Sequence, residues 1–246
     1  LLIAGMTPCT AKSDLVAAAM NAGYYVEVAG GGQPTEAHFI QTLDNILDAL
    51  NPNTIPSLSI NIIYANAYQW NFQFELLLRL KKEGYPITNL TIAAGVPTID
   101  NAKDIIERLQ EVGIYSIGLK PGNQATVESC IALADHFPTQ TFMVQWTGGR
   151  GGGHHSYEDF HEVLITNYLE LRKRSNICLI VGSGFGSVAS IQPYMEGTWN
   201  QQFGFKTPFP VDGILFGSYV MSCQECGLVD SGKALLQQTK GVTEEK

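Results

Sequence analysis

The chain opens LLIAGMTPCTAKSDLVAAAMNAGYYVEVAGGGQ (residues 1–33). Two short apolar, β-branched runs, 2–5 and 24–29, flank a segment at 12–23 whose apolar residues recur at helical spacing. Ser13 or Asp14 stands where a helix cap belongs, and Gly23 where a helix stops. A glycine-rich break follows each apolar run: "AGMTP" after the first, "AGGGQ" after the second. Strand, break, helix and strand again is the unit that decides the fold.

The unit recurs along the whole chain. Further strand-like runs fall at 57–63, 89–93, 114–119, 140–146, 176–181 and 211–216. Helical spacing occupies 36–50, 73–84, 101–113 and 125–137, and the stretch from Ser156 to Arg174 is also helix-like. Asp100 is placed to cap the helix at 101–113, and Gly84 and Gly113 to end theirs. The strands read mostly as continuous apolar runs, the pattern of strands covered by protein on both faces. Eight strand–helix units in 246 residues predict a (β/α)8 TIM barrel over 1–230, close to the ~250 residues usual for that fold. A doubly wound open sheet is the competitor. Glycine-rich segments follow nearly every strand rather than one crossover, which favours the barrel. From about Ser231 the chain turns polar, so 231–246 is expected to be a terminal helix or linker.

Bulk composition narrows the function classes. A net charge of −8 with 15% charged residues argues against a general nucleic-acid or membrane-surface binder. No apolar run approaches the length of a membrane span. The five cysteines follow no metal-site spacing, and Cys223 and Cys226 form a lone CxxC read as ordinary reduced thiols. That usage suits a cytoplasmic setting. The chain starts in a strand without Met, which reads as part of a longer polypeptide.

In a barrel of this kind the active site lies at the C-terminal ends of the strands. Those ends hold "AGMTP" (4–8), "NIIYAN" (61–66), "AAGVP" (93–97), "LKPG" (119–122), "QWTGGRGGGHH" (145–155), "GSGFG" (182–186) and "FGS" (216–218). Loops after strands seven and eight commonly bind a phosphate, and glycine-turn N–H groups suit a dianion. Asn61 and Gln145 offer neutral amides for an amide-like ring edge. Lys120 offers a cation beside electron-rich ring atoms. Together these suit a flavin across the barrel mouth. Each has a plainer role: Asn61 satisfying buried backbone, Lys120 snorkelling to solvent, Gln145 orienting a loop. "AGGGQ" can equally line the pocket or turn the chain.

Gly151, Gly152 and Gly153 carry His154 and His155 above the mouth. An imidazole there can pass a proton near neutral pH. One of the two is expected only to support the loop. A metal would need His154, His155 or His161 to converge with Glu158 or Asp159, and no HExxH spacing exists, so no metal is expected. His161, His38 and His136 lie in helical stretches and read as structural. Arg150 is the cation of the glycine loop, and its plain role is a loop anchor paired to Glu158 or Asp159.

The motifs "AGMTP", "MNAGY", "AGGG", "AAGVP", "LKPG", "QWTGGRGGGHHS", "EDFH" and "GSGFG" occur in this order from Leu1 to about Cys226. In that set the chain resembles the enoyl reductase region of the fungal-type fatty acid synthase β subunit. Gly152-Gly153-His154 is similar to the shorter signature of the wider superfamily, which includes nitronate monooxygenases. The resemblance implies FMN and NADPH as cofactors. It also implies reduction of a trans-2-enoyl chain on an acyl carrier protein, within a larger synthase assembly. It places Ala4, Gly5, Met6, Thr7, Asn61, Gly95, Lys120, Gln145, Gly152 and Gly153 around the flavin. Gly182, Ser183, Gly184, Gly186, Phe216, Gly217 and Ser218 would surround its phosphate. His154 ranks first for the chemistry and His155 second, and with NADPH and a thioester implied, Arg150 is a candidate for the NADPH phosphate or the thioester carbonyl. A flavin oxidase of the nitronate type and a non-catalytic phosphate-binding barrel are the alternatives. Ala94 stands where the family pattern has glycine, a departure expected to be tolerated.

Overall fold

The structure, a computed structural model, describes residues 1–149, 155–182 and 184–239. Within them, strands β1 (Leu2–Ile3), β2 (Tyr25–Ala29), β3 (Leu58–Ile63), β4 (Ile87–Ala93), β5 (Ser116–Leu119), β6 (Thr141–Thr147), β7 (Ile177–Gly182) and β8 (Gly213–Phe216) alternate with helices. The helices are α1 (Ser13–Asn21), α2 (Glu36–Asp48), α3 (Ala67–Lys82), α4 (Ile99–Glu111), α5 (Gln124–His136), α6 (Phe160–Arg172), α7 (Val188–Glu196) and α8 (Asp230–Gln238). Every strand pairs in parallel with its neighbour in sequence, and β8 returns to β1 to close the barrel. The closure selects the (β/α)8 barrel over the open sheet.

Local sequence explains most boundaries. Gly23, Gly84 and Gly113 end α1, α3 and α4 at φ of 79°, 100° and 78°, a left-handed backbone that glycine adopts without a Cβ penalty. Two caps differ from the sequence expectation. Thr98, not Asp100, caps α4, accepting from the Asn101 amide at 3.3 Å. Lys12 occupies the cap position of α1, and Ser13 and Asp14 lie inside the helix, bonded to each other at 3.2 Å. α3 begins at Ala67, well before 73, because Asn66 caps it through the Gln69 amide and Trp70 stacks on Phe74.

The main core is the layer between barrel and helices. Val28, Ile60, Ile62, Leu90, Leu119 and Val144 face it from the strands, each at most 1% exposed. Burial of such a side chain stabilises by ~1.5–3 kcal/mol. The barrel's inner face differs from the apolar filling that the strand runs suggest. One arc is apolar, with Leu2, Ala4, Ile180 and Leu215 packed together against Tyr25 and Met143. The other carries Glu27, Ser59, Asn61, Asn89, Thr91 and Gln145, all buried. These alternate with core-facing aliphatic residues, so each strand still reads apolar overall.

His161, expected from its helical context to be structural, sits in the packed layer outside the barrel strands. It is buried, its Nε2 lies 2.7 Å from the Tyr194 hydroxyl, and its ring stacks on Trp199. All five cysteines are free thiols. Burial, then contact with Cys226, pushes the Cys9 thiol up to about 12, and burial raises Cys130. Such thiols stay protonated and poorly nucleophilic. Among the described residues no cluster of His, Cys, Asp or Glu can hold a metal, and no helix is long and apolar enough to cross a membrane.

Candidate functional site

Glu27 sits in the middle of β2 and points into the barrel, with no solvent exposure. An isolated carboxylate there would be costly, and five donors from five other segments meet it. Oε2 accepts from the Gly5 amide at 2.9 Å and from Asn61 Nδ2 at 2.8 Å, and Lys120 Nζ lies 3.1 Å from it. Oε1 accepts from Thr91 Oγ1 at 2.8 Å and from Gln145 Nε2 at 2.6 Å. Burial alone would raise the Glu27 pKa. The Lys120 ammonium and the hydrogen bonds from Gln145, Gly5 and Asn61 outweigh that and hold the group below its ordinary value.

A second tier of polar groups extends the cluster into the barrel. Asn89 Nδ2 donates to Ser59 Oγ at 2.9 Å and to Thr91 Oγ1 at 3.1 Å, while Ser116 Oγ donates to Asn89 Oδ1 at 2.8 Å. Glycine makes the room: a Cβ at Gly5 would lie 2.7 Å from Asn61 Cγ, and one at Gly118 would lie 3.0 Å from Thr91 Cβ.

Three residues assigned from sequence to a flavin ring, Asn61, Lys120 and Gln145, are thus gathered at one place with Gly5. Their donors go to Glu27, however, which the sequence reading passed over together with Thr91, Asn89, Ser59 and Ser116. A signal was present: "YYVEVA" carries a lone charge inside an apolar strand, and such a residue is buried only when paired. The side-chain oxygen of Gln145 is buried and has no hydrogen-bond partner among the described residues.

The other candidates line the same end of the barrel. Ala4 is buried, and its amide donates to the Phe216 carbonyl at 2.9 Å. Met6 Sδ lies 3.9 Å from where a Gly217 Cβ would stand, and Thr7 Oγ1 lies 2.9 Å from the equivalent point on Gly31. Gly95 adopts φ 145° beside the Tyr64 ring. Gly30 and Gly32 have no room for a side chain, because Gln73 and Ala11 fill the space. Gln73 bridges the Gly30 and Gln33 carbonyls, so "AGGGQ" is chiefly a packed turn.

After β7, Gly184 takes a left-handed φ of 64° and the chain enters α7 through a capping box between Ser187 and Ser190. The Ser190 hydroxyl also accepts from the Gly186 amide at 3.3 Å. Gly182 packs on Leu215 of β8, Gly186 on Tyr219, and Ser218 opens the short 3-10 helix Ser218–Ser222. Phe216 and Gly217 end the last strand beside them. The two segments expected to hold a phosphate are therefore neighbours.

The neck of the glycine loop is pinned by Gly149 N to Glu158 O at 3.0 Å and Ser156 N to Thr147 O at 2.8 Å. His155 emerges exposed beside that neck. Glu158 accepts from the Gln124 amide at 2.6 Å, and Asp159 caps α6 through the His161 and Glu162 amides. Arg150, Gly151, Gly152, Gly153, His154 and Ser183 lie outside the described residues.

Comparison with known proteins agrees with this fold. The family described as fatty acid synthase subunit beta/Fas1-like, helical, matches residues 141–246. The chain is 41% identical over 246 residues, its full length, to fatty acid synthase subunit beta of Saccharomyces cerevisiae, and spans 12% of that protein. It is 40% identical over 245 residues to fatty acid synthase beta subunit aflB of Emericella nidulans, covering 98% of this chain and 11% of that one. Among solved structures, the enoyl reductase domain of MlnA from Bacillus amyloliquefaciens superposes with a TM-score of 0.60 at 13% identity, over 97% of this chain and 57% of that one. The tryptophan synthase alpha subunit of Campylobacter jejuni gives 0.51 at 12% identity, over 96% and 94%. At those identities the structural matches speak for the barrel alone. The sequence identity reaches across the entire chain, and on that ground the chain belongs to the family of fungal fatty acid synthase β subunits.

Proposed function

We propose that this barrel reduces the trans-2 double bond of an enoyl thioester carried by an acyl carrier protein, using FMN and NADPH, inside a larger synthase assembly. The observation that carries the reading is the Gln145 amide. Its NH2 is held by Glu27, and its carbonyl oxygen is buried without a partner among the described residues. Such an oxygen calls for an N–H donor, and the imide edge of a flavin supplies one. Gly217, where a Cβ would come no nearer than 3.9 Å to Met6 Sδ, and the adjacent β7 and β8 loops offer space for the rest of the cofactor, from ring to phosphate.

When bound, FMN supplies hydride chemistry taken from NADPH and delivered to the β-carbon of the enoyl chain. The protein's own part is to bind, orient and move a proton. Lys120, its ammonium paired with the sealed Glu27 and its side chain 21% exposed, turns N–H donors to the mouth. Asn61 and Gln145 fix the ring edge. The loops at 182–186 and 216–218 take the phosphate. His154 delivers a proton to the α-carbon, with His155 beside it, and Arg150 meets the NADPH phosphate or the thioester carbonyl. Five free thiols accord with a reducing, cytoplasmic setting.

The test is stopped-flow spectroscopy on the full-length protein. The wild type is expected to be yellow, to bleach with NADPH and to recover with an enoyl thioester. His154→Ala should keep flavin and bleaching but lose the recovery. A colourless wild type that takes up no FMN overturns the reading. Recovery with oxygen alone would move it to a flavin oxidase.

A further inference from the structure

We propose that Glu27 is a positioning residue for the cofactor: it fixes which end of each amide faces the ring and neutralises Lys120 beneath it. The inference rests on the FMN reading above. The argument begins from acceptor chemistry. An ionised carboxylate only accepts hydrogen bonds. Asn61 and Gln145 can therefore meet Glu27 only through their NH2 groups, at 2.8 and 2.6 Å. Each amide is forced to turn its carbonyl oxygen away from Glu27, and the Gln145 oxygen is the one left buried and unpartnered among the described residues. A neutral amide at position 27 would lose this control, because it donates as well as accepts and lets both neighbours flip.

Burial follows the same order. Glu27 has no exposure, Gln145 1% and Asn61 5%, while the Lys120 side chain retains 21%. The carboxylate is the floor, and the amides and the ammonium form the layer above it. Burying an ion pair for stability alone is seldom favourable compared with an apolar filling. The opposite arc of this barrel shows that an apolar filling is available. The pair also sets the charge under the cofactor: with Glu27 ionised, Lys120 contributes a nearly neutral unit rather than a bare cation.

The experiment compares the wild type with Glu27→Gln in the full-length protein, reading FMN affinity by fluorescence and the flavin midpoint potential by redox titration. Glu27→Gln is expected to bind oxidised FMN more weakly. Its uncompensated Lys120 should favour the reduced, anionic flavin, raising the ratio of reduced to oxidised affinity at least tenfold, about 30 mV for a two-electron couple. Lys120→Met is expected to shift the potential the other way and carries the test should Glu27→Gln fail to fold. A flavin that binds with unchanged potential in both variants overturns the inference and leaves the enoyl reductase reading standing. A wild type that never takes up FMN sinks that reading first, and this inference with it.

Discussion

Gly118 of β5 and Thr91 of β4 are register partners, and the Thr91 side chain fills the space that any side chain at 118 would need. The Thr91 hydroxyl spends its proton on Glu27 at 2.8 Å. The missing side chain at 118 is therefore part of how a carboxylate is held in the barrel. Gly118→Ala should push Thr91 aside and destabilise by about 1–3 kcal/mol through overpacking, read as a lower urea midpoint. Adding Thr91→Ala removes the hydroxyl and the methyl but keeps the Cβ 3.0 Å away, so it should relieve part of the clash, and the double variant should lose less than the sum of the singles. Additive losses would show that the two residues do not share this space.

The charge on Glu27 gives stability a pH dependence of known sign. Its folded pKa lies below the ordinary 4.5. The unfolded chain therefore takes up the proton first as the pH falls. The contribution is complete above about pH 4.5 and is lost as the pH falls through the folded value. Surface carboxylates such as Asp135, paired with Arg174, shift in the same direction, so the wild-type curve alone does not isolate the effect. The stability difference between wild type and Glu27→Gln should be flat from pH 5 to 7 and shrink below 4.5. A difference that grows on acidification would mean that Glu27 is protonated in the folded protein.

Ala94 is the non-glycine residue found at positive φ, 57°, among the described residues. Its methyl is carried in a left-handed backbone. That conformation costs an L-residue ~1–2 kcal/mol, partly offset by the greater unfolded-state entropy of glycine. Ala94→Gly should stabilise by about 0.5–1 kcal/mol, and Ala94→Val should destabilise. Equal melting temperatures for the three proteins would show that no strain resides there.

The barrel was legible because its signals are local and repeat. Apolar runs mark the strands to within about two residues of Tyr25–Ala29, Leu58–Ile63 and Thr141–Thr147, and Gly23, Gly84 and Gly113 mark helix ends through backbone chirality. α3 starts at Ala67, six residues before the helical spacing at 73–84 begins, since Tyr68, Trp70 and Phe72 do not follow a one-sided apolar stripe. The site was legible in its parts but not in its organisation. Asn61, Lys120 and Gln145 stand out by residue type. What joins them is Glu27, separated from Gln145 by 118 positions, and no periodicity reports a contact that exists only once the sheet closes. The adjacency of the glycine turns after β7 and β8 is legible for the opposite reason: consecutive strands of a barrel pair, so the turns that follow them must be neighbours.

A last prediction separates the helical histidine from those of the loop. His161 packs between Trp199, Phe160 and Phe203 with ring centroids 5.5, 5.2 and 4.9 Å away, and its Nε2 meets the Tyr194 hydroxyl at 2.7 Å. His161→Phe keeps the aromatic volume and removes that hydrogen bond. It should cost about 1–2 kcal/mol, the penalty for taking one partner from a buried polar pair, seen as a lower melting temperature. Flavin uptake and the enoyl half-reaction should be unchanged at a temperature where the variant stays folded, because the ring is buried in the packed layer between α6 and α7. Loss of the half-reaction with stability intact would place His161 in the chemistry and remove the ground for assigning the proton to the loop.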